Sequence, residues 1–194
     1  MTMIKTLPEN ELEKLVDYFL NLSPEDDHRM CVDRSSLLNR DEWIQFLKND
    51  SHKSLEDRQL YYLGWYLDDQ LIGHSSINKI AYGVEALIHL HIWHPELRRH
   101  GLGKEYLWKA MQVYFEKFAL QKIICEPNAN NPGPNKTLIK LGLSLVDTYQ
   151  TKPSPMNYEH RVNRYELTRD HFKDLLSRND RPCSVQSEEA CLNF

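Results

Sequence analysis

Residues 86–104, A-L-I-H-L-H-I-W-H-P-E-L-R-R-H-G-L-G-K, leave few architectures open to this chain. Apolar side chains alternate with polar ones up to Trp93, which specifies a strand, and Pro95 ends it. Residues 103–118 then repeat apolar side chains at Leu107, Ala110, Met111, Tyr114 and Phe115, one face of a helix. Lys122, Ile123, Ile124 and Cys125 follow as a short buried strand. Strand, basic glycine turn, helix, strand is the order around which the rest of the chain must arrange itself.

The turn carries chemistry of its own. A helix exposes unpaired N–H groups at its first turn and a partial positive charge with them, so that end receives anions. Gly101 and Gly103 stand where this first turn forms and let a ligand's oxygens reach neighbouring amides. Arg98, Arg99 and Lys104 add cations suited to a pyrophosphate, a local basic focus in a chain of net charge -4. Taken alone, R-R-x-G-x-G also describes a helix start flanked by solvated arginines, and both readings stand at this point. The spacing is neither G-x-x-x-x-G-K-[ST] nor G-x-G-x-x-G, which sets aside P-loop and Rossmann sites.

The remainder supports one domain, since 194 residues with 41% apolar and 27% charged content bury one good core. Residues 3–7 read as a short strand, and Thr6-Leu7-Pro8-Glu9 as a capping box starting a helix with Leu12, Leu15, Val16, Phe19 and Leu20 inward. Ser23-Pro24 stops that helix and starts a short second one, and Asn39 caps a third bearing Trp43, Ile44, Phe46 and Leu47. Residues 60–67 and 71–80 read as a hairpin about Asp68-Asp69-Gln70, with a loop at 81–83 before the third strand. A helix at 134–141 and strands at 145–149 and 161–167 complete the pattern, and residues 180–194 read as a loosely held polar tail.

Several functions are set aside. The negative balance opposes general nucleic-acid binding, which needs a surplus of cations on one face. No apolar run reaches the roughly eighteen residues of a membrane span, and residues 1–7 lack a signal-peptide core. A cytoplasmic protein is expected, in which Cys31, Cys125, Cys183 and Cys191, without C-x-x-C spacing, stay thiols. No metal is expected, because His74, His94 and His100 form no ligand spacing.

Two segments resemble the signatures of the GNAT acetyltransferase superfamily. Residues 92–107, I-W-H-P-E-L-R-R-H-G-L-G-K-E-Y-L, resemble its acyl-coenzyme A motif, [RQ]-x-x-G-x-[GA], which follows a strand and opens a helix. Residues 131–143, N-P-G-P-N-K-T-L-I-K-L-G-L, resemble its second signature, an Asn after the fifth strand followed by a helix ending in E-K-x-G-F. The two lie one helix plus one strand apart, as the family requires. The resemblance implies an α/β (α+β) fold, with a central mixed, mostly antiparallel twisted sheet of six to seven strands flanked by about four helices. It implies an acyltransferase domain at residues 1–168, with a C-terminal helix and the polar tail at 169–194. It also implies acetyl-CoA (coenzyme A) as co-substrate and direct attack in a ternary complex by the amine of a small molecule or protein. A homodimer is compatible with it.

By the same resemblance, the amides of Arg99, His100, Gly101, Leu102, Gly103 and Lys104 cradle the pyrophosphate, with Arg98 in the motif's lead position. Backbone groups of His91, Ile92 and Trp93, on a bulged strand that splays from the next, hold the pantetheine arm. Asn131 and Asn135 face the cofactor, although Asn131 also reads as a helix cap and Asn135 as a solvated side chain. Leu138 stands where many members carry the Tyr that protonates the leaving thiolate. The acid is then another group, water or none, and a catalytically silent coenzyme-binding fold is the rival on that account.

Acyl transfer to an amine needs a neutral nucleophile, a stabilised oxyanion and somewhere to send a proton. His89 and His91 project from one strand face together with Trp93, and an imidazole can take the proton directly or through water. Their H-L-H spacing resembles the arylalkylamine acetyltransferases. The siderophore lysine N-acyltransferases pair H-I with E-P-x-x-x-N, which His91-Ile92 and Glu126 to Asn131 resemble; Glu126 would accept a proton or hold the substrate cation. Histidines on such a strand also serve as hydrogen-bonded structural groups, so both roles stay open. Tyr61, Tyr62, Trp65 and Tyr66 read largely as core, and Asp26-Asp27 and Asp68-Asp69 as solvated turns.

Overall fold

The computed structural model describes residues 1–178, and the expected loose tail lies outside the described residues. Strands β1 (Thr2–Thr6), β2 (Tyr61–Leu67), β3 (Gln70–Ala81) and β4 (Glu85–Ile92) form an antiparallel meander. Strand β5 (Lys122–Cys125) joins β4 in parallel, and β7 (His160–Thr168) and β6 (Ser144–Thr151) follow antiparallel. The resulting seven-stranded sheet has the order β1-β2-β3-β4-β5-β7-β6 and is the mixed, mostly antiparallel one expected. Helices α1 (Leu12–Leu20), α2 (Pro24–Met30) and α3 (Arg40–Ser51) precede β2. Helices α4 (Leu102–Lys117), α5 (Pro132–Lys140) and α6 (Arg169–Ser177) follow β4, β5 and β7.

The two faces of the sheet are covered differently. Helix α4 buries Leu107, Ala110, Met111 and Tyr114 against Ile77 and Ile88, and α5 adds Leu138 to the same core. Helix α6 brings Phe172 onto Phe115, with ring centroids 5.1 Å apart. On the opposite face α1 and α3 pack Leu15, Val16, Phe19, Trp43 and Leu47 into a second apolar cluster. Polar side chains of β4, β5 and β7, including His89, Lys122, Arg164 and Glu166, fall on that second face by strand alternation.

Local chemistry accounts for the turns. Asp68 and Asp69 take φ values of 46° and 64°, the left-handed pair that a two-residue hairpin of matching twist requires. Ser23 and Asn39 cap α2 and α3 as expected, accepting from Asp26 N–H and Glu42 N–H. The Thr6–Glu9 capping box does not form. Thr6 stays in the β1 ladder opposite Leu63, and its hydroxyl meets Tyr61 Oη at 2.5 Å, so it cannot reach forward. A single 3-10 turn at Glu9–Glu11 leads into α1 instead. The irregularity expected in β4 lies in β3, where the register shifts between Asn78 and Ala81 and Lys79 adopts φ 47°.

Candidate active site

Strands β4 and β5 pair only from Glu85 to Leu87, opposite Lys122 to Ile124. Beyond that point β4 runs on to Ile92 beside β3 alone, and a V opens between the two parallel strands. Trp93 donates its N–H to Ile72 O at 2.9 Å, so in the alternating antiparallel ladder His91 and His89 also spend their backbone groups on β3. Leu90 and Ile92 therefore turn theirs into the V. Of the expected set of His91, Ile92 and Trp93, Ile92 faces the V together with Leu90, whereas His91 and the Trp93 N–H pair with β3. Ile92 O is itself occupied by Arg98 Nε at 3.1 Å, leaving the Ile92 N–H and both Leu90 groups.

At the mouth of the V, Arg99 and Gly101 both adopt left-handed backbone, φ 71° and 81°, immediately before α4. That alternation turns successive N–H groups toward one point, the geometry of an anion nest. Among the described residues no acceptor meets the N–H of Arg99, His100, Gly101, Leu102 or Gly103. Five orphan donors beside the positive end of a sixteen-residue helix fit a diphosphate. The Lys104 N–H, expected among them, is consumed by Gly101 O at 3.0 Å. Nothing lies within 4 Å of where a Gly101 Cβ would stand, so the space above the nest is open.

The helix α4 packs on one face of the sheet, whereas the side chains expected to handle protons lie on the other. His91 sits opposite His74 of β3, their rings stacked at 4.7 Å and 17°. Tyr18 and Phe19 of α1 approach His91 edge-on at 5.9 and 5.2 Å. Trp93 Nε1 donates to His74 Nδ1 at 2.8 Å, which leaves the hydrogen of the neutral imidazole on Nε2. Burial lowers all three histidines: His74 to about 3, His89 to about 4, and His91 well below its ordinary value. A neighbouring imidazole adds to the effect at His74 and His91, and Lys79 at His89. All three are neutral at pH 7. The Nε2 atoms of His74 and His89 are buried with no partner among the described residues.

Glu126 follows β5 on the far arm of the V. Its Oε1 accepts from Tyr149 Oη at 2.5 Å and Arg164 Nη1 at 3.0 Å, while Oε2 has no partner among the described residues. Burial and the bond to Glu126 raise the Tyr149 phenol, which stays protonated.

The short helix α2 ties the two arms together. Arg98 Nη1 and Nη2 grip both oxygens of Asp26 at 2.9 and 3.0 Å on the β4 side. On the β5 side Asn128 Nδ2 meets Cys31 Sγ at 3.1 Å, and Asn157 Nδ2 donates to Met30 O at 2.9 Å. Burial would raise the Asp26 carboxyl, but the hydrogen bonds from Arg98 and Arg29 outweigh it and hold it low. The Arg98 guanidinium is thus spent on the protein. So is the Asn135 amide, whose Nδ2 donates to Asn128 O and Asn131 O and whose Oδ1 accepts from Asn163 and Tyr165. Asn131 caps α5 by accepting from Gly133 N–H at 3.3 Å. His74, Tyr149 and Arg164 had no sequence signal, because they reach the site only through strand register; the alternation that singled out His89 and His91 would have found His74 had the β3–β4 pairing been known.

A model of the acetyltransferase (GNAT) family matches residues 18–138. No curated protein matches the chain in sequence. Among solved structures, the fold is similar to spermidine N-acetyltransferase from Vibrio cholerae in complex with CoA and spermine, at 16% identity and TM-score 0.72 over 89% of this chain and 98% of that one. Ribosomal L7/L12 alpha-N-protein acetyltransferase in complex with coenzyme A is similar at 15% identity and TM-score 0.69, covering 88% and 95%. Aminoglycoside acetyltransferase AAC(6')-Ib in complex with coenzyme A is similar at 16% identity and TM-score 0.68, covering 90% and 98%. The acceptors differ among the three, so the shared fold selects none.

Proposed function

The chain belongs to the acetyltransferase (GNAT) family, whose chemistry is acyl-CoA-dependent N-acyl transfer, and on that premise we propose that it acetylates a primary amine by direct attack in a ternary complex. One observation carries the reading: the V between β4 and β5 opens beside the orphan amides of residues 99–103. When bound, acetyl-CoA supplies the acyl group as a thioester. The chain's part is to hold and to orient. The nest would take the diphosphate, and the N–H groups of Leu90 and Ile92 point into the V, where they can donate to an acyl oxygen.

The proton handling falls to the second face. An amine arriving as ammonium finds Glu126 Oε2 as a hydrogen-bond acceptor, while His89 and His91, which burial keeps neutral and makes weak bases, line the same face of β4. With Leu138 fully buried, the side chain at that position serves packing, and Tyr149 is a protonated phenol in contact with Glu126. Free thiols at Cys31 and Cys125 support a cytoplasmic setting for the enzyme.

The test is ligand-induced stabilisation. Coenzyme A at a hundredfold excess over its dissociation constant should stabilise the wild type by about 2.7 kcal/mol, read as a rise in Tm. Gly101→Glu, which puts a carboxylate at the nest, should abolish the rise; an undiminished rise overturns the assignment. Thiol release on adding an amine separates an enzyme from a silent coenzyme-binding fold.

A further inference from the structure

Resting on the acetyltransferase reading above, we infer that Tyr149 and Arg164 are positioning residues: they hold one oxygen of Glu126 so that the other meets the acceptor's ammonium at the V. Strand register puts Glu126 there. Leu87 and Ile124 are the last residues paired between β4 and β5, and two steps on, along the same face, stand His89 on one arm and Glu126 on the other. Burial and Lys79 lower His89, and the Glu126 charge works against them. The two side chains are thus neighbours where the strands part.

What sets Glu126 apart is an unfinished set of bonds. Its side chain is 5% exposed, and a carboxylate so far out of water ordinarily has donors on both oxygens. Asp50, at 3%, shows the finished form: Oδ1 accepts from Lys53 Nζ and Gln59 N–H, and Oδ2 from Leu60 N–H. At Glu126 both donors, Tyr149 Oη at 2.5 Å and Arg164 Nη1 at 3.0 Å, crowd onto Oε1. They come from β6 and β7, the side away from β4, which leaves Oε2 for a ligand in the V. Asp27 Oδ1 is unpartnered too, but Asp27 meets one donor, Arg34, and lies on α2, not on an arm of the V.

Neither donor is free to swing. Glu166 takes Arg164 Nε at 2.9 Å and Nη2 at 2.8 Å, and Lys122 holds Glu166 in turn at 3.3 Å. A carboxylate placed only to close an ion pair would take a guanidinium on both oxygens, as Asp26 takes Arg98. Here the guanidinium gives two nitrogens to Glu166 and one to Glu126. Tyr149, opposite Val162 in the β6–β7 ladder, stays a protonated phenol and donates to the carboxylate. An ammonium supplies the missing donor; Oε2 takes one of its protons and passes it to water after turnover, which restores the carboxylate.

The experiment follows the Glu126 carboxyl carbon by NMR in the coenzyme A complex as hexylamine hydrochloride is added, and measures acetyl transfer to hexylamine by thiol release. Hexylammonium should move the wild-type signal. Tyr149→Phe, which keeps the ring and removes the donor, should need about tenfold more hexylammonium for the same response, and transfer should fall by a similar factor. Glu126→Gln should fall further, and the double variant should be no slower than Glu126→Gln alone, because Tyr149 acts through Glu126. Arg164→Lys, which keeps one donor, should recover part of what Arg164→Met loses. A wild-type signal indifferent to hexylammonium overturns the inference, as does a Tyr149→Phe response equal to the parent's, or losses that add in the double variant. The carbon signal needs no turnover, so it decides the matter even where hexylamine is not acetylated. Failure of coenzyme A to stabilise the wild type overturns the reading beneath instead.

Discussion

His74 cannot take up a proton without giving up a bond. Trp93 holds its Nδ1 as an acceptor, and full burial makes the imidazolium costly, so the ring is a fixed neutral plate beneath His91. The consequence for stability has a definite sign. An unfolded histidine gains its proton near pH 6.5, whereas His74 resists to about 3 and His89 to about 4. Between those limits the unfolded chain binds more protons, so stability falls as the pH falls, by up to about 1.4 kcal/mol per pH unit for each histidine. Calorimetry should find Tm dropping from pH 7 to pH 5, and His74→Phe should flatten that slope; an equal slope in the variant would show that His74 titrates normally. At this scale the sequence was a partial guide. Alternation placed His89 and His91 correctly on one face, but which backbone groups they spend depends on the partner strand, so the outward set shifted to Leu90 and Ile92.

At the scale of elements, the V depends on how tightly β3 and β4 lie together along its near arm. Gly73 is the contact that allows this: a Cβ there would stand 2.3 Å from His91 O, backbone that cannot swing away. Gly73→Ala should cost about 2 kcal/mol or more in urea unfolding, and should weaken coenzyme A stabilisation by moving His91 and Ile92 together. A variant as stable as its parent would mean that the strands part without penalty. Most elements were legible because their apolar periods are long and their caps specific, as with Asn39 before α3 and Ser23 before α2. The Thr6 capping box was not, since the Tyr61 hydroxyl that claims Thr6 lies fifty-five residues away. The bulge was misplaced for the same reason: a register shift belongs to two strands, and either can carry the extra residue.

At the scale of the whole molecule, α6 is part of the core although the family pattern ends before it. Phe172 is 3% exposed and lies against Trp108 and Phe115 of α4, the helix whose first turn forms the nest. Phe172→Ala should destabilise by about 3 kcal/mol or more, measured by chemical denaturation. A change below 1 kcal/mol would mark α6 as an appendage, in keeping with a working unit of residues 1–168. The sheet has a last consequence, set by its having helices α4 and α5 on one side and the histidines on the other. If carrier and acceptor come to these two sides, as proposed above, neither has to leave before its partner can arrive. Initial-velocity plots against both should give intersecting lines, and a parallel family would mean that the two routes are really one.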